Sequence, residues 1–229
     1  VREGSVIDDL RIRQAMVYSI DHAGICQTIM NGYQEPAMGP SPLSNFGSYD
    51  GGGFPARDLD KAKELMEEAG YAGEEIRFVF HSGEFTSDLE VCELILAQLL
   101  EAGFNVTFTQ VESGAWSDMK GTDEWDITNN SVPGAFTGEA QYHYNQMKNL
   151  THLYLEDFEE IINAANEDTA QSDEERAEDI SSAMKVLWDY VPYVFGTVPV
   201  SSIGMKENLE GYEYIPLNWL LLAEAGFTE

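Results

Sequence analysis

The sequence predicts an α/β fold, a sheet covered by helices. Two observations lead to that class. Short runs of strand character at residues 76–80, 106–110 and 125–129 are separated by helical patterns at 88–102 and 113–119. Of the 229 residues, 43% are hydrophobic and 11% aromatic, a composition that fills a packed core. The length suits one large domain or two small ones, and no internal repeat or low-complexity run interrupts it.

From the amino terminus, residues 8–20 read as a helix, with Asp8 or Asp9 as cap and Leu10, Ala15, Met16, Val17 and Ile20 supplying apolar faces. Asp21 begins a second, short helix over 23–30, which Asn31-Gly32 stops. Residues 33–55, rich in Gly, Pro and Ser, form an ordered loop. A helix over 59–69 carries the stripe Leu59, Ala62, Leu65, Met66 and ends at Gly70. Ser87 with Glu90 fits a capping box for the helix at 88–102, which Gly103 closes. Two further helices are expected at 155–166 and 173–190, the second presenting Ile180, Met184, Leu187 and Trp188. A buried strand at 194–200 follows Pro192, and the segment from 210 to 229 mixes aromatic and apolar residues.

Charge excludes some partners. Twelve Lys+Arg face 41 Asp+Glu, a net of −29. Such a surface repels phosphate backbones and anionic lipid, so neither nucleic acid nor membrane insertion is expected. No apolar run reaches transmembrane length. Two isolated cysteines, Cys26 and Cys92, make neither a disulfide framework nor a zinc site and read as small buried hydrophobes; a bridge between them stays open. The start at Val1 is expected to mark a processed product or an excised piece.

Catalytic motifs are largely missing. GxSxG, HExxH, GxxxxGK[ST] and GxGxxG do not occur, and the run Asp50-Gly51-Gly52-Gly53 reads as a loop. His22, His81, His143 and His152 lack metal-ligand spacing and read as surface or loop residues; no metal and no cofactor is expected. The stretch around Asn129, Asn130, Ser131 and Val132 ends a strand in hydrogen-bonding heads, as a plain turn or a ligand-facing strand end would. Trp116, on a polar turn between two strands, is a core tryptophan or a flat platform for a ligand.

The order of these pieces resembles the extracellular solute-binding proteins of family 5, receptors of ABC importers for oligopeptides, dipeptides and nickel complexes. The likeness rests on Asp8-Asp9, Arg11-x-Arg13-Gln14-Ala15, Ser19-Ile20-Asp21, Gly32 with Pro36-Ala37 and Gly39-Pro40, and the run from Asp58 to Tyr71. It continues through residues 94–116 to about Phe136 and then fades. The resemblance implies a type II periplasmic-binding-protein-like lobe, a mixed sheet with helices on both faces. Residues 1–209 would be a C-terminal ligand-binding lobe and 210–229 a tail returning towards a missing N-terminal lobe. It implies capture of a peptide or similar small solute, without catalysis, for ABC permease subunits, in a periplasmic or lipoprotein-anchored receptor. The residues implied at the cleft are Trp116, Asn129, Asn130, Ser131, Val132 and Phe136, with Ser82 and Glu84 beyond the 76–80 strand. Peptide-binding relatives carry an aspartate where Ala135 stands here; Glu139 is the first acid after it. The rival readings are a hydrolase using paired carboxylates and a sensor or interaction module on the same lobe.

Overall fold

The computed structural model describes residues 4–132, 139–151, 153–198, 204–215 and 219–228. A 3-10 turn at Val6–Asp8 leads into α1 (Leu10–Ser19), capped by the Asp9 carboxylate, which accepts the Arg11 N–H at 2.8 Å. Asp21 caps α2 (His22–Thr28) in the same way, through Gly24 N–H. The chain leaves α2 through left-handed Asn31 and Gly32 and enters β1 (Glu35–Pro36). The loop that follows is ordered by its own backbone: Gly51 and Gly53 both donate to the Met38 carbonyl, at 2.8 and 3.1 Å.

The α/β alternation then appears as α3 (Leu59–Ala69), β2 (Glu75–His81), α4 (Asp88–Ala102), β3 (Asn105–Val111), α5 (Ser113–Met119) and β4 (Ile127–Thr128). The strands assemble in the order β3-β2-β4, and both pairings are parallel. Antiparallel pairing occurs in separate two-stranded ladders. β1 pairs with β5 (Thr197–Val198), β6 (Leu209–Glu210) with β9 (Gly226–Phe227), and β7 (Glu213–Ile215) with β8 (Trp219–Leu221).

Alternation along β2 sets the core. Ile76, Phe78 and Phe80 point to one face and pack against Ile12 and Met16 of α1, Ala62 and Leu65 of α3, and Val91, Ile95 and Leu99 of α4. Each buried Ile, Val, Leu, Met or Phe side chain among these contributes about 1.5–3 kcal/mol relative to exposure. A second cluster lies among α6 (Gln141–Thr151), α7 (Glu156–Glu167) and α8 (Asp173–Asp189), around Tyr144, Phe158, Ile162, Ile180, Met184 and Leu187. Arg13 ties the two regions together. Its buried guanidinium donates to the carbonyls of Ile7 and Asp8 and to those of Tyr190 and Val191 at the end of α8. Val191, held there with φ 53°, is a β-branched residue in the left-handed region.

Several local expectations are corrected. Ser87 makes no side-chain cap for α4; its φ is 61°, and the Asp88 carboxylate instead accepts N–H groups of Gly83, Glu84 and Leu89. A capping box does form between Ser172 and Glu175, at the start of α8. Helix α6 has no counterpart in the sequence reading. The expected buried strand at 194–200 is two residues long and half-buried within the described residues. Cys26 and Cys92 are free and buried, and burial pushes the Cys92 thiol up to about 12.

Candidate functional site

Three parallel strands end on the same edge of one sheet. The register sets His81 beside Val111 and Val79 beside Thr128, so the segments after β2, β3 and β4 leave the sheet next to one another. In parallel sheets this carboxyl edge is where loops can line a pocket without breaking the ladder.

β4 is short because side chains continue its pairing. At its start, Asp126 accepts the backbone N–H of Arg77 and forms a two-pronged ion pair with the Arg77 guanidinium, all at 2.9 Å. At its end, Asn129 stands in for a peptide group: its Oδ1 accepts the His81 N–H at 3.1 Å and its Nδ2 donates to the His81 carbonyl at 2.8 Å. Both the oxygen and the nitrogen of the Asn129 amide are thus bonded to β2, while Asn130 and Ser131 are exposed and Val132 is half-buried.

His81 occupies the centre. It faces away from Phe80, towards the sheet side opposite the main core, and is 2% exposed. The Trp116 ring stacks on it, centroids 4.6 Å apart and 11° from parallel, and Trp125 meets Trp116 edge-on at 5.3 Å. Trp116 reaches this position because Glu112 alone separates β3 from α5. His81 Nδ1 lies 3.4 Å from Glu84 Oε1, and Glu84 Oε2 accepts the Ser131 N–H at 2.8 Å. Ser82 is exposed, and its carbonyl lies 3.5 Å from the Ser113 hydroxyl. His81 Nε2 and Trp125 Nε1 are buried and find no hydrogen-bond partner among the described residues.

The cluster therefore brings together Trp116, Asn129, Ser131 and Glu84, with Asn130, Val132 and Ser82 at its border; Phe136 lies outside the described residues. Histidines read as surface or loop residues prove otherwise. His22 is buried and stacked on Phe54 at 4.2 Å, and His143 is half-buried in α6 with Nε2 3.3 Å from Asn45. Burial lowers both to about 4. His152 lies outside the described residues. Sequence reading missed His81 because only the pairing of β2 with its neighbours sets it beneath Trp116.

Elsewhere, an open hollow of about 360 Å³ sits at the turn between α7 and α8, lined by Asp168, Gln171, Glu175, Glu178 and Asp179. Its acids converge on no buried base. Among the described residues, no group of three or more His, Cys, Asp or Glu is placed to hold a metal ion, and no helix is long and apolar enough to cross a membrane. Glu139 is drawn into α8 by Arg176, whose guanidinium donates at 3.0 and 3.2 Å and holds the carboxyl below its ordinary range.

Comparison with known proteins gives a consistent picture. The family model of the bacterial extracellular solute-binding proteins, family 5 middle, matches residues 3–152. The chain is 24% identical over 234 residues to a glutathione-binding protein of Pectobacterium atrosepticum, covering 97% of this chain and 45% of that protein. The structure of HbpA2 from Haemophilus parasuis superimposes with a TM-score of 0.84 at 16% identity, over 98% of this chain and 46% of the other. A dipeptide-binding protein from Pseudoalteromonas, solved with Met-Leu, gives 0.79 at 20% identity, over 99% and 46%. These likenesses show the type II periplasmic-binding-protein fold class, and the chain spans a little under half the length of such relatives.

Proposed function

The chain belongs to the bacterial extracellular solute-binding proteins of family 5, and on that premise we propose that it supplies one lobe of a two-lobed receptor delivering solute to an ABC importer. The receptor captures a peptide or similar small solute by closing its lobes, without chemical change. It works outside the cytoplasm, freely periplasmic or lipoprotein-anchored, and hands its cargo to ABC permease subunits. The observation that supports this most is the convergence of three strand ends on the His81–Trp116 stack, with polar groups at the border of an open sheet edge.

In this reading Trp116, Asn130, Ser131, Val132, Ser82 and Glu84 border the interlobe cleft. Asn129 sets the position of the 130–132 segment through its grip on His81. Residues 1–209 form the lobe and 210–229 return to the other half. The tail's pairing fits that role: β6 with β9 and β7 with β8 pair with one another, and Tyr212, Leu221, Leu222 and Phe227 are exposed.

The test is mass spectrometry of what co-purifies with the complete gene product, followed by calorimetry with that solute. Micromolar or tighter binding is expected for the complete product, and binding weaker by roughly a hundredfold or more for residues 1–229 alone, because half the contacts and the exclusion of water are missing. Equal binding by the isolated chain would overturn the two-lobe reading.

A further inference from the structure

The carboxylate of Glu84 is turned in on the protein. One oxygen accepts the Ser131 N–H at 2.8 Å, and the other lies 3.4 Å from His81 Nδ1. The backbone of Glu84 is pinned as well. Its N–H and that of Gly83 both donate to Asp88 Oδ2 at the start of α4, at 3.0 and 2.7 Å. The segment that Glu84 reaches has little else to hold it. β4 ends at Thr128, and Asn129 makes the last side-chain bonds to β2. Among the described residues, the bond from Ser131 N–H to Glu84 is the one hydrogen bond made by 130–132. Asn130 and Ser131 are exposed, so burial adds little restraint at those two positions. One side chain thus bridges the loop after β2 and the segment after β4, 47 residues apart in sequence.

We propose that Glu84 is a positioning residue, a clasp that holds the 130–132 rim of the cleft on the loop after β2. It sets solute affinity through the place it gives Ser131, not through its charge. This rests on the receptor reading above. Both carboxylate oxygens already have partners within the protein, and a backbone N–H bonded to an ionised carboxylate is a strong restraint. A rim fixed before solute arrives needs little further ordering, whereas a loose one loses its freedom on binding and weakens affinity.

The experiment compares Glu84→Gln, Glu84→Asp and Glu84→Ala in the complete gene product. It reads hydrogen exchange at 129–132 without solute, and calorimetric affinity for the co-purifying solute. Glu84→Gln keeps a carbonyl oxygen for the Ser131 N–H, and its amide can donate to His81 Nδ1, so both readouts should stay within about threefold of wild type. Glu84→Asp keeps the charge but withdraws it by one methylene, and Glu84→Ala removes the group. In both, exchange should quicken and affinity fall by roughly tenfold. Rescue by Gln where Asp fails is the result that a clasp predicts, and this pair decides the matter if Glu84→Ala does not fold. Glu84→Gln binding as weakly as Glu84→Asp or Glu84→Ala overturns the inference. Unchanged exchange in Glu84→Asp overturns it, and so does quickened exchange with unaltered affinity. Each of these outcomes leaves the receptor reading standing. If no solute co-purifies with the wild type, that reading falls and the inference falls with it.

Discussion

The imidazole of His81 lies flat beneath the indole of Trp116, 4.6 Å between centroids and 11° from parallel. One ring comes from the last residue of a central strand, the other from the helix after the neighbouring strand. Their contact joins two of the three strand-end segments and makes the corner around which the proposed cleft is built.

Removing that indole should loosen the corner. Trp116 is 8% exposed and touches both His81 and Trp125, so Trp116→Ala is expected to cost about 3–5 kcal/mol. Trp116→Phe keeps an aromatic face and should cost markedly less. Urea denaturation of both variants decides; equal losses would mean that ring stacking is irrelevant there.

Asn129 makes a sharper case, since its amide replaces a peptide group of the ladder. Asn129→Ala strands a buried N–H and a buried carbonyl of His81 and should cost about 2–4 kcal/mol. Asn129→Asp keeps the acceptor but turns a carboxylate towards the His81 carbonyl. It should be worse than Ala at pH 7 and recover as the acid is protonated. A neutral effect for Asn129→Ala would dissolve the role assigned to this side chain.

His22 gives the fold an acid limb. Burial lowers its pKa from 6.5 to about 4, so between these values the unfolded chain binds a proton that the folded chain refuses. The contribution of His22 to stability is therefore full above about pH 6.5 and falls as pH drops towards 4, by about 3 kcal/mol at most. His22→Phe retains stacking on Phe54 and should roughly halve the slope between pH 6.5 and 4, since the equal contribution expected from His143 remains. An unchanged slope in the variant would place the titration elsewhere.

Salt should strengthen this fold. For a sphere of roughly 20 Å radius, the self-repulsion of 29 charges is roughly 25 kcal/mol in 0.15 M salt and roughly 10 kcal/mol in 1 M. The expanded unfolded chain relieves part of this at either concentration. A net gain of several kcal/mol remains, or roughly 10–20 °C in melting temperature. Calorimetric scans in sodium chloride check it, and a flat response would show that the acidic surface is already neutralised by bound ions.

Much of the architecture was legible because local chemistry and tertiary context agree. The α3 helix begins after Asp58, ends before Gly70 and buries Ala62, Leu65 and Met66, as its stripe requires. Where they diverge, sequence reading fails. Ser87 and Glu90 have capping-box spacing, but the turn that aims Asp88 at Gly83 and Glu84 forces Ser87 into a left-handed conformation. In α6, the consecutive Tyr142, His143, Tyr144 and Asn145 are weak helix formers; a buried Tyr144 stacked on Phe158 at 3.8 Å supplies what propensity does not. At the site, Trp116 and the 129–132 run stood out by residue type. His81 did not, since its position depends on register across three strands, and no linear pattern encodes that.

The central claim is that solute meets this lobe at the strand-end corner. Hydrogen exchange of the complete gene product, with and without its co-purifying solute, tests this most directly. Slowed exchange is predicted for backbone amides at 82–84, 113–117 and 129–132, with little change across α7 and α8. Protection confined to α7 and α8, or none at the three segments while solute is bound, would contradict the account.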